Sequence, residues 1–239
     1  MDIRMEMAIH YLCPYSQRVL FVSKFKDLNI EMIQVDLANP SPWFLDLNPS
    51  VEAPALKITK GEKVTRMTQS IDISIYLNSF PGPNLYPTSN LNGEIITQAK
   101  EEIDNFMRTK IARAGSYFYS VIYCRPDPKD LEDFKTFVGY LEGLMKNGQF
   151  VMQESLGYEE VTLADVMLYP FIERYIVYES HCKGALNNTP GMHSWFEVMN
   201  RFSWIQAYKA PDNRHKRVYE IRSSPGEYQP LRLPISFYD

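Results

Sequence analysis

Cysteine is scarce in this sequence: the 239 residues contain three, Cys13, Cys124 and Cys182. An odd and widely spaced set excludes a secreted scaffold held together by disulfides, so we expect a reducing compartment. The three cysteines and four histidines also lack the spacing of metal ligands, so we expect no metal site. One of the three cysteines can still be a nucleophile.

The chain also lacks long apolar runs and an excess of basic charge. No stretch approaches the roughly 18 consecutive apolar residues of a membrane span, and with 25 basic and 29 acidic residues the net charge is −4. We therefore expect neither a membrane span nor a nucleic-acid partner. The N-terminal residues do not show the pattern of a signal or transit peptide, which favours a cytoplasmic protein. A mitochondrial protein without a recognisable presequence is the alternative.

What is present is an ordinary globular composition, with 45% apolar and 23% charged residues. The first part of the chain alternates between predicted strands and helices. Periodicity predicts strands at residues 7–12 and 30–36 around a helix at 16–28, which indicates a parallel pair with a right-handed crossover. Turn residues at 60–62 predict a hairpin, and a helix follows at 70–77.

Proline and glycine mark the boundaries of the predicted elements. Residues 39–49 are predicted to be irregular, and residues 79–92 are the best candidate for a linker between two domains. The chain beyond this linker is predicted to be helical. Two of its helix starts have clear signals: Asp127 as an N-cap, and a capping box at 162–165. The second of these helices contains Pro170, where we expect a kink.

The C-terminal residues 212–239 differ from the rest of the chain. They combine basic and aromatic side chains with prolines at positions 225, 230 and 234, which predict an extended segment. Such a segment either lies back on its own domain or docks on a protein partner, with Phe237 and Tyr238 as aromatic anchors. The sequence leaves both possibilities open.

Cys13 lies between the end of the first predicted strand and the start of the first predicted helix. A helix N-terminus presents free N–H groups and a partial positive charge that stabilise a thiolate, and Arg18 in the first turn can add to this effect. Ser16 stands where a C-x-x-C centre has its second cysteine. A mixed disulfide on Cys13 must therefore be resolved by an external thiol, and this logic points to glutathione.

The same segment resembles a known family. Residues 13–19, Cys-Pro-Tyr-Ser-Gln-Arg-Val, resemble the N-terminal motif of omega-class glutathione transferases and plant dehydroascorbate reductases, and are similar to that of chloride intracellular channel proteins. Residues 43–56 resemble the omega-class stretch that leads into a cis-proline, and residues 69–77 resemble the turn and helix that bind the γ-glutamyl group. Residues 162–174 resemble the capped, proline-containing core helix of the C-terminal domain.

The resemblance extends from residue 5 to about residue 208 and implies the glutathione transferase fold. We therefore expect an α/β thioredoxin-like, glutathione-binding N-terminal domain at residues 1–86 and an all-α C-terminal domain at 92–210. The extended basic tail is expected at 211–239. The resemblance also implies a homodimer.

Several site residues follow from the resemblance. Cys13 is expected to be the catalytic thiol. Pro54 is expected to be cis, which turns the backbone of Ala53 toward the cysteinyl group of glutathione.

The resemblance also implies which residues bind the γ-glutamyl end of glutathione and which face the second substrate. Gln69 and Ser70 are expected to hold the γ-glutamyl end of glutathione, Ser70 at a helix N-terminus that favours a carboxylate. Pro14 and Tyr15 complete the predicted glutathione site. Tyr15 and Arg174 are expected to face the pocket for the second substrate.

The favoured function is that of a glutathione-dependent thiol transferase or reductase of omega type. It would act by a monothiol mechanism through Cys13 on a small electrophile, a disulfide or dehydroascorbate, with glutathione as co-substrate. Two features support an alternative: residues 39–42 lack the basic side chain that omega enzymes place near the glycyl carboxylate, and the chain carries an extra C-terminal tail. Gln69 also replaces the omega glutamate, as glutamine does in the alpha, mu and pi classes.

In that alternative, catalysis is weakened or lost and the chain serves as a structural or interaction subunit of a larger assembly. A channel-type relative that inserts into membranes is the least favoured function, because the sequence offers no clearly insertable segment.

Overall fold

The computed structural model describes residues 3–88, 93–123 and 127–222, and the chain divides into two compact units. Among the described residues, the first unit contains the chain up to Pro83 and Ala207–Ala210, and the second contains Asn84–Gln206 and the chain from Pro211 to residue 222. This division differs from the prediction, which put the first boundary at residue 86 and residues 207–210 in the helical domain. A hydrogen bond from Gln17 Nε2 to the Tyr208 carbonyl, 3.3 Å long, fixes that short segment to the first unit.

The described residues of the first unit form four strands and three helices. In chain order these are β1 (Ile3–Ile9), α1 (Pro14–Phe25), β2 (Glu31–Gln34), α2 (Pro42–Leu47), β3 (Ala55–Lys60), β4 (Lys63–Met67) and α3 (Ser70–Asn78).

These strands form one sheet in the order β2-β1-β3-β4. The β1–β2 pair is parallel, as the strand–helix–strand pattern predicts, and the other two pairs are antiparallel. Gly61 supplies the positive φ of 59° at the turn between β3 and β4, which confirms the predicted hairpin. In the β1–β3 pair, Ala8 lies opposite Ala55, so the end of β1 adjoins the start of β3.

Helix α2 was not predicted, because its region was expected to be irregular. Ser41 is its N-cap and its side chain accepts a hydrogen bond from the Phe44 N–H, while Pro42 occupies the first helical position. Phe44 and Leu47 are buried in a cluster with Ala8 of β1, Ala55 of β3 and two residues next to the strands, Val35 and Ala53. The prediction was wrong here because the same prolines that break a helix interior also start a helix well.

The second unit is helical throughout its described elements, and the predicted sequence of an α/β unit followed by an all-α unit is confirmed. The α-helices are α4 (Gly93–Phe106), α5 (Ala112–Tyr117), α6 (Pro128–Leu144), α7 (Gln153–Leu156), α8 (Leu163–Val177), α9 (Pro190–Met199), α10 (Ser203–Gln206) and α11 (Asp212–Arg222). Two π-helical turns, Met107–Ile111 and Phe118–Tyr123, flank α5.

Helix α8 is the centre of this unit, since every residue from Leu163 to Tyr175 is buried. The predicted capping box is confirmed: the Thr162 N–H donates to the Asp165 carboxylate at 2.9 Å. The same carboxylate also accepts from the Val151 N–H and from Trp195 Nε1, both at 2.9 Å. Burial raises the pKa of Asp165, and these hydrogen bonds oppose that shift.

Helix α11 corrects the expectation that the chain is extended from residue 211 onward. Asp212–Arg222 is helical because this stretch contains neither proline nor glycine, and the first proline after it is at position 225. His215 and Val218, three residues apart, form its buried face. The remainder of the predicted tail, residues 223–239, lies outside the described residues.

Helix α11 contacts α8 through buried polar groups. His215 is 2% exposed, with its Nε2 3.5 Å from a carboxylate oxygen of Glu173, and its backbone carbonyl accepts a hydrogen bond from the Tyr178 hydroxyl. Burial lowers the pKa of His215, and Arg174 acts in the same direction; Glu173 and Asp212 oppose the shift. His215 is therefore neutral near pH 7.

We expect the free energy of unfolding to decrease on mild acidification because of His215. An unfolded histidine takes up a proton near pH ~6.5, but native His215 takes one up only at a lower pH. The stability contributed by the neutral side chain is thus present above about pH 6.5 and is lost as the pH falls toward the lowered native value. Urea unfolding at several pH values from 7.5 to 5 measures this loss.

The matched variant is His215→Gln, which should flatten the pH dependence in this window. The control is His193→Gln, which replaces a histidine whose side chain is 41% exposed. An unchanged pH dependence in His215→Gln contradicts the assignment.

Candidate active site

Cys13 is the N-cap residue of α1, so the predicted position of this thiol between a strand and a helix is confirmed. The predicted helix start at Ser16 was two residues late, because Pro14 takes the first helical position. The Cys13 N–H donates to the His10 carbonyl at 2.8 Å, which closes the turn from β1. The thiol is half-buried and lies at the end of the helix where the first backbone N–H groups have no partner within the helix.

The thiol faces the backbone of the segment that precedes β3. The Ala53–Pro54 peptide bond is cis, as the resemblance implies. Cys13 Sγ donates a hydrogen bond to the Ala53 carbonyl at 3.3 Å. The structure therefore brings three of the predicted site residues together.

The side chain of Asn48, which was not among the predicted site residues, fixes the backbone of the segment before Pro54. Asn48 is 4% exposed; its Nδ2 donates to the Glu52 carbonyl at 2.8 Å and its Oδ1 accepts from the Ser50 N–H at 3.2 Å. Between them Val51 has a φ of 55°, a left-handed conformation that β-branched residues rarely adopt. The side-chain turn at an Asn-Pro pair is the sequence signal that could have identified Asn48.

Gln69 and Ser70 lie at the start of α3. Gln69 is the N-cap and Ser70 is the first helical residue, so both are next to the free N–H groups of that helix. Ser70 Oγ accepts a hydrogen bond from Arg18 Nη1 at 3.1 Å. Arg18 is itself buried, on the side of α1 that faces α3.

Arg18 also lies close to the residues that follow the thiol. Its guanidinium carbon is 5.2 Å from the centre of the Tyr15 ring. Burial lowers the pKa of Arg18 to about 10, against the opposing effects of Tyr15 and Cys13, so the side chain stays charged at neutral pH. Burial raises the pKa of Tyr15; Arg18 opposes that shift, whereas Cys13 and Glu52 add to it.

Arg174 lies in the second unit and is 1% exposed. Its Nη1 donates to the Pro170 carbonyl at 2.6 Å and lies 3.4 Å from the Glu173 carboxylate. These contacts give the guanidinium a structural role within α8. Its assignment to the second-substrate pocket stays a prediction.

Cys182, the other cysteine among the described residues, has no such environment. Cys182 is buried and donates to the carbonyls of Tyr175 and Tyr178, at 3.6 and 3.5 Å. Burial, with a smaller contribution from Glu179, raises its pKa to about 12, so this thiol is protonated and inert near neutral pH. Cys124 lies outside the described residues.

Within residues 3–88, 93–123 and 127–222, no three histidine, cysteine or acidic side chains are grouped as metal ligands would be. Over the same ranges, none of the helices combines the length and apolarity required to cross a bilayer.

We expect Asn48→Ala to destabilise the first unit by about 1–3 kcal/mol, since two hydrogen bonds of a buried side chain are lost. Asn48→Asp should cost at least as much, because it keeps the acceptor for Ser50 but points a buried carboxylate oxygen at the Glu52 carbonyl. Urea unfolding of both variants and the parent measures the difference. An Asn48→Ala protein as stable as the parent contradicts the assigned role.

Comparison with known proteins agrees with this geometry. Residues 12–79 match the family model described as "Glutathione S-transferase, N-terminal domain". Glutathione S-transferase L1 of Arabidopsis thaliana is 29% identical over 203 residues, which cover 81% of this chain and 76% of that protein. Glutathione S-transferase omega-1 of Rattus norvegicus is 25% identical over 195 residues, which cover 78% and 73% of the two chains.

A solved structure supports the fold across both units. A rice glutathione transferase crystallised with glutathione superposes with a TM-score of 0.79 at 20% identity, over 95% of this chain and 99% of that one. At this identity the likeness concerns the fold. Residues 12–79 are thus a glutathione S-transferase N-terminal domain, in a chain whose homologues include glutathione S-transferases of the omega class.

Proposed function

We propose that this protein is a glutathione-dependent thiol transferase or reductase that works through the single thiol of Cys13. One observation carries the proposal: a half-buried thiol at the N-terminus of α1 faces the Ala53 carbonyl next to a cis-proline. A thiol in this position can attack a sulfur or carbon electrophile near neutral pH. The omega-class homologues support the same chemistry.

The proposed cycle has two exchanges at sulfur. The Cys13 thiolate attacks the glutathionyl sulfur of a mixed disulfide, an S–S bond forms to glutathione, and the other thiol leaves and takes up a proton. A second glutathione thiolate then attacks the glutathionyl sulfur on Cys13. Oxidised glutathione leaves and the Cys13 thiolate is restored, so each turn consumes one free glutathione, which pairs with the glutathionyl group taken from the substrate.

An external thiol is required because the neighbouring position cannot resolve the intermediate. Ser16 is buried, and its hydroxyl accepts a hydrogen bond from the His10 N–H at 3.1 Å. A serine hydroxyl does not exchange with disulfides. The Ser16 hydroxyl instead stabilises the turn around Cys13 through its hydrogen bond with the His10 N–H. Reduction of dehydroascorbate begins instead with addition of the Cys13 thiolate to a carbonyl carbon. One glutathione then attacks the Cys13 sulfur and releases ascorbate, and a second glutathione regenerates the thiolate, so that two glutathione molecules supply two electrons and two protons.

In the proposed binding mode, glutathione contacts the first unit at two places, next to Ala53 and at the start of α3. The cysteinyl backbone lies against Ala53, and the γ-glutamyl carboxylate lies at the N-terminus of α3 beside Gln69 and Ser70. Two features of the structure support this placement: the cis Ala53–Pro54 peptide bond before β3, and the start of helix α3 at Ser70. The homodimer, the second substrate and the cytoplasmic location stay predictions.

A structural or interaction role remains the second candidate, and the composition of the segment before α2 favours it. Residues 39–42 lack the basic side chain that omega enzymes place near the glycyl carboxylate, and the exposed Glu52 adds slightly to the raised pKa of Tyr15, which is caused chiefly by burial. A site without that cation binds an anionic tripeptide less favourably. Turnover by the parent protein decides between the two candidates.

We expect Cys13→Ser to lower thiol transferase activity to the uncatalysed rate, because the hydroxyl is not ionised near neutral pH. The assay follows oxidation of glutathione with a glutathionylated peptide as substrate. The fold should persist, since Cys13 is half-buried and its thiol makes one weak hydrogen bond.

Cys182→Ser is the matched control, because a serine hydroxyl can donate to the same two backbone carbonyls. It should keep the parent's activity. Full activity in Cys13→Ser contradicts the monothiol mechanism, and an inactive parent protein favours the structural role.

A further inference from the structure

Helix α11 is held against α8 with little buried apolar surface. Its buried side chains are His215 and Val218, and its other described side chains are exposed or half-buried. The backbone carbonyl of His215 accepts a hydrogen bond from the Tyr178 hydroxyl. Beside this contact, the ring centres of Tyr219 and His181 are 4.0 Å apart. A helix that buries so few apolar atoms opens locally at a lower cost in free energy than a core helix such as α8.

His215 is the titratable group in the middle of this contact. Its Nε2 lies 3.5 Å from a carboxylate oxygen of Glu173, which is too long for a good hydrogen bond. The same carboxylate oxygen lies 3.4 Å from Arg174 Nη1, so its charge is already shared with a guanidinium. A proton on His215 would add a second positive charge near Arg174 in a buried position.

The charged and titratable groups around His215 come from three elements. Burial and Arg174 oppose the proton on His215 whereas Glu173 and Asp212 favour it, and the net effect is a lowered pKa. Docking of α11 therefore favours the neutral imidazole, and by linkage the neutral imidazole favours docking. The groups are Glu173, Arg174 and Tyr178 from α8 and its C-terminal end, His181 from the 3₁₀ turn Glu179–His181, and Asp212 and Tyr219 from α11.

A short segment connects α11 to the helix that begins at the thiol. We call Ala207–Ala210 the strap; it belongs to the first unit and ends two residues before Asp212. The Tyr208 carbonyl accepts a hydrogen bond from Gln17 Nε2 at 3.3 Å, and the Gln17 N–H donates to the Cys13 carbonyl at 3.0 Å. The strap is thus bound to the start of α1, and the docking of α11 restrains its C-terminal end.

We propose that α11 and the strap form a pH-operated switch, in which protonation of His215 releases α11 from α8 and the loosened strap opens access to Cys13 for large disulfide substrates. The contribution of neutral His215 to docking is present above about pH 6.5 and is lost as the pH falls below that value. The release of α11 follows from contacts within the second unit. The consequence for substrate size at Cys13 rests on the proposed function.

Hydrogen exchange followed by mass spectrometry measures the opening of α11. Exchange of the α11 backbone amides is compared at pH 7.5 and 5.5, after correction for the intrinsic effect of pH on amide exchange. We expect the opening constant to rise by up to about tenfold, because an exposed histidine takes up its proton near pH ~6.5 and docked His215 does so at a lower pH. The amides of α8 should exchange much more slowly than those of α11 at both pH values, which shows that the opening is local.

Three variants identify the group that senses pH. His215→Gln should remove the pH dependence of the α11 opening constant. Tyr178→Phe loses the hydrogen bond to the His215 carbonyl, so it should raise the opening constant at both pH values and leave their ratio unchanged. The matched control is His181→Gln, which removes the other histidine of this contact and should keep the pH dependence of the parent.

A pH dependence that persists in His215→Gln, or that disappears in His181→Gln, overturns the proposal. If His215→Gln fails to fold, Tyr178→Phe and His181→Gln still decide, because a pH ratio that differs from that of the parent in either variant contradicts the role of His215.

The second experiment measures access to Cys13 with N-ethylmaleimide and the bulkier N-(1-pyrenyl)maleimide. Both reagents are uncharged, and in both the thiolate sulfur adds to the carbon–carbon double bond and the neighbouring carbon takes up a proton. The ratio of the two rates at Cys13, located by peptide analysis, is therefore independent of the thiolate fraction. The pyrenyl-to-ethyl ratio should rise from pH 7.5 to 5.5, whereas free glutathione measured in parallel should show a constant ratio.

Gln17→Leu tests the strap itself, because it removes the side chain that binds the Tyr208 carbonyl. This variant should show a raised pyrenyl-to-ethyl ratio at pH 7.5, with a smaller further rise at pH 5.5. A ratio equal to that of the parent at both pH values contradicts the role of the strap.

The measurements separate the failure of this inference from that of the proposed function. A parent protein without thiol transferase activity contradicts the proposed function, and the exchange and maleimide data still decide the switch. A constant maleimide ratio in a protein whose α11 opens as expected overturns the effect on Cys13. An α11 that exchanges as slowly as α8 at both pH values overturns the switch as a whole.

Discussion

The antiparallel pairing of β1 with β3 is the constraint on which the site depends. Because Ala8 lies opposite Ala55, the chain that leaves β1 and the chain that enters β3 emerge side by side. Cys13 follows Ala8 by five residues and Ala53 precedes Ala55 by two, and the thiol and the carbonyl meet at 3.3 Å. A shift of this register by one residue would turn every side chain of the strand to the other face and separate the two groups.

The second constraint is the packing of α1 against α3. Both helices lie beside the sheet in the first unit, and both begin at the site: α1 at Cys13 and α3 at Gln69. Two helix N-termini thus contribute partial positive charge to one place. Arg18 joins the two helices through Ser70, 52 residues away in sequence. The Arg18–Ser70 hydrogen bond therefore joins the two helices and also brings a buried positive charge next to the start of α3.

The features that sequence analysis could predict are those determined by neighbouring residues. The thiol before α1, the turn at Gly61 and the capping box of α8 each depend on residues within a few positions of each other, and each is present. The cis state of Pro54 was available only from the resemblance to a family, since trans is the more stable form of an ordinary X–Pro bond.

The features that were missed depend on distant contacts or on proline used in an unexpected way. Helix α2 begins with the very proline that suggested irregular structure, and α11 forms because His215 and Val218 find a buried surface. Asn48 acts through the backbone of Glu52, and its own sequence context indicates only a turn. The partner of Arg18 could not be predicted, because nothing near Arg18 in sequence identifies Ser70.

The central claim, that Cys13 alone carries a glutathione-dependent exchange, is tested most directly by intact-mass and peptide analysis of the native protein treated briefly with oxidised glutathione. The account predicts one glutathionyl group per chain, located on Cys13 and removed by added glutathione, while the buried thiol of Cys182 stays unmodified. A native protein that acquires no glutathionyl group on Cys13, or acquires it equally on all three cysteines, contradicts the account.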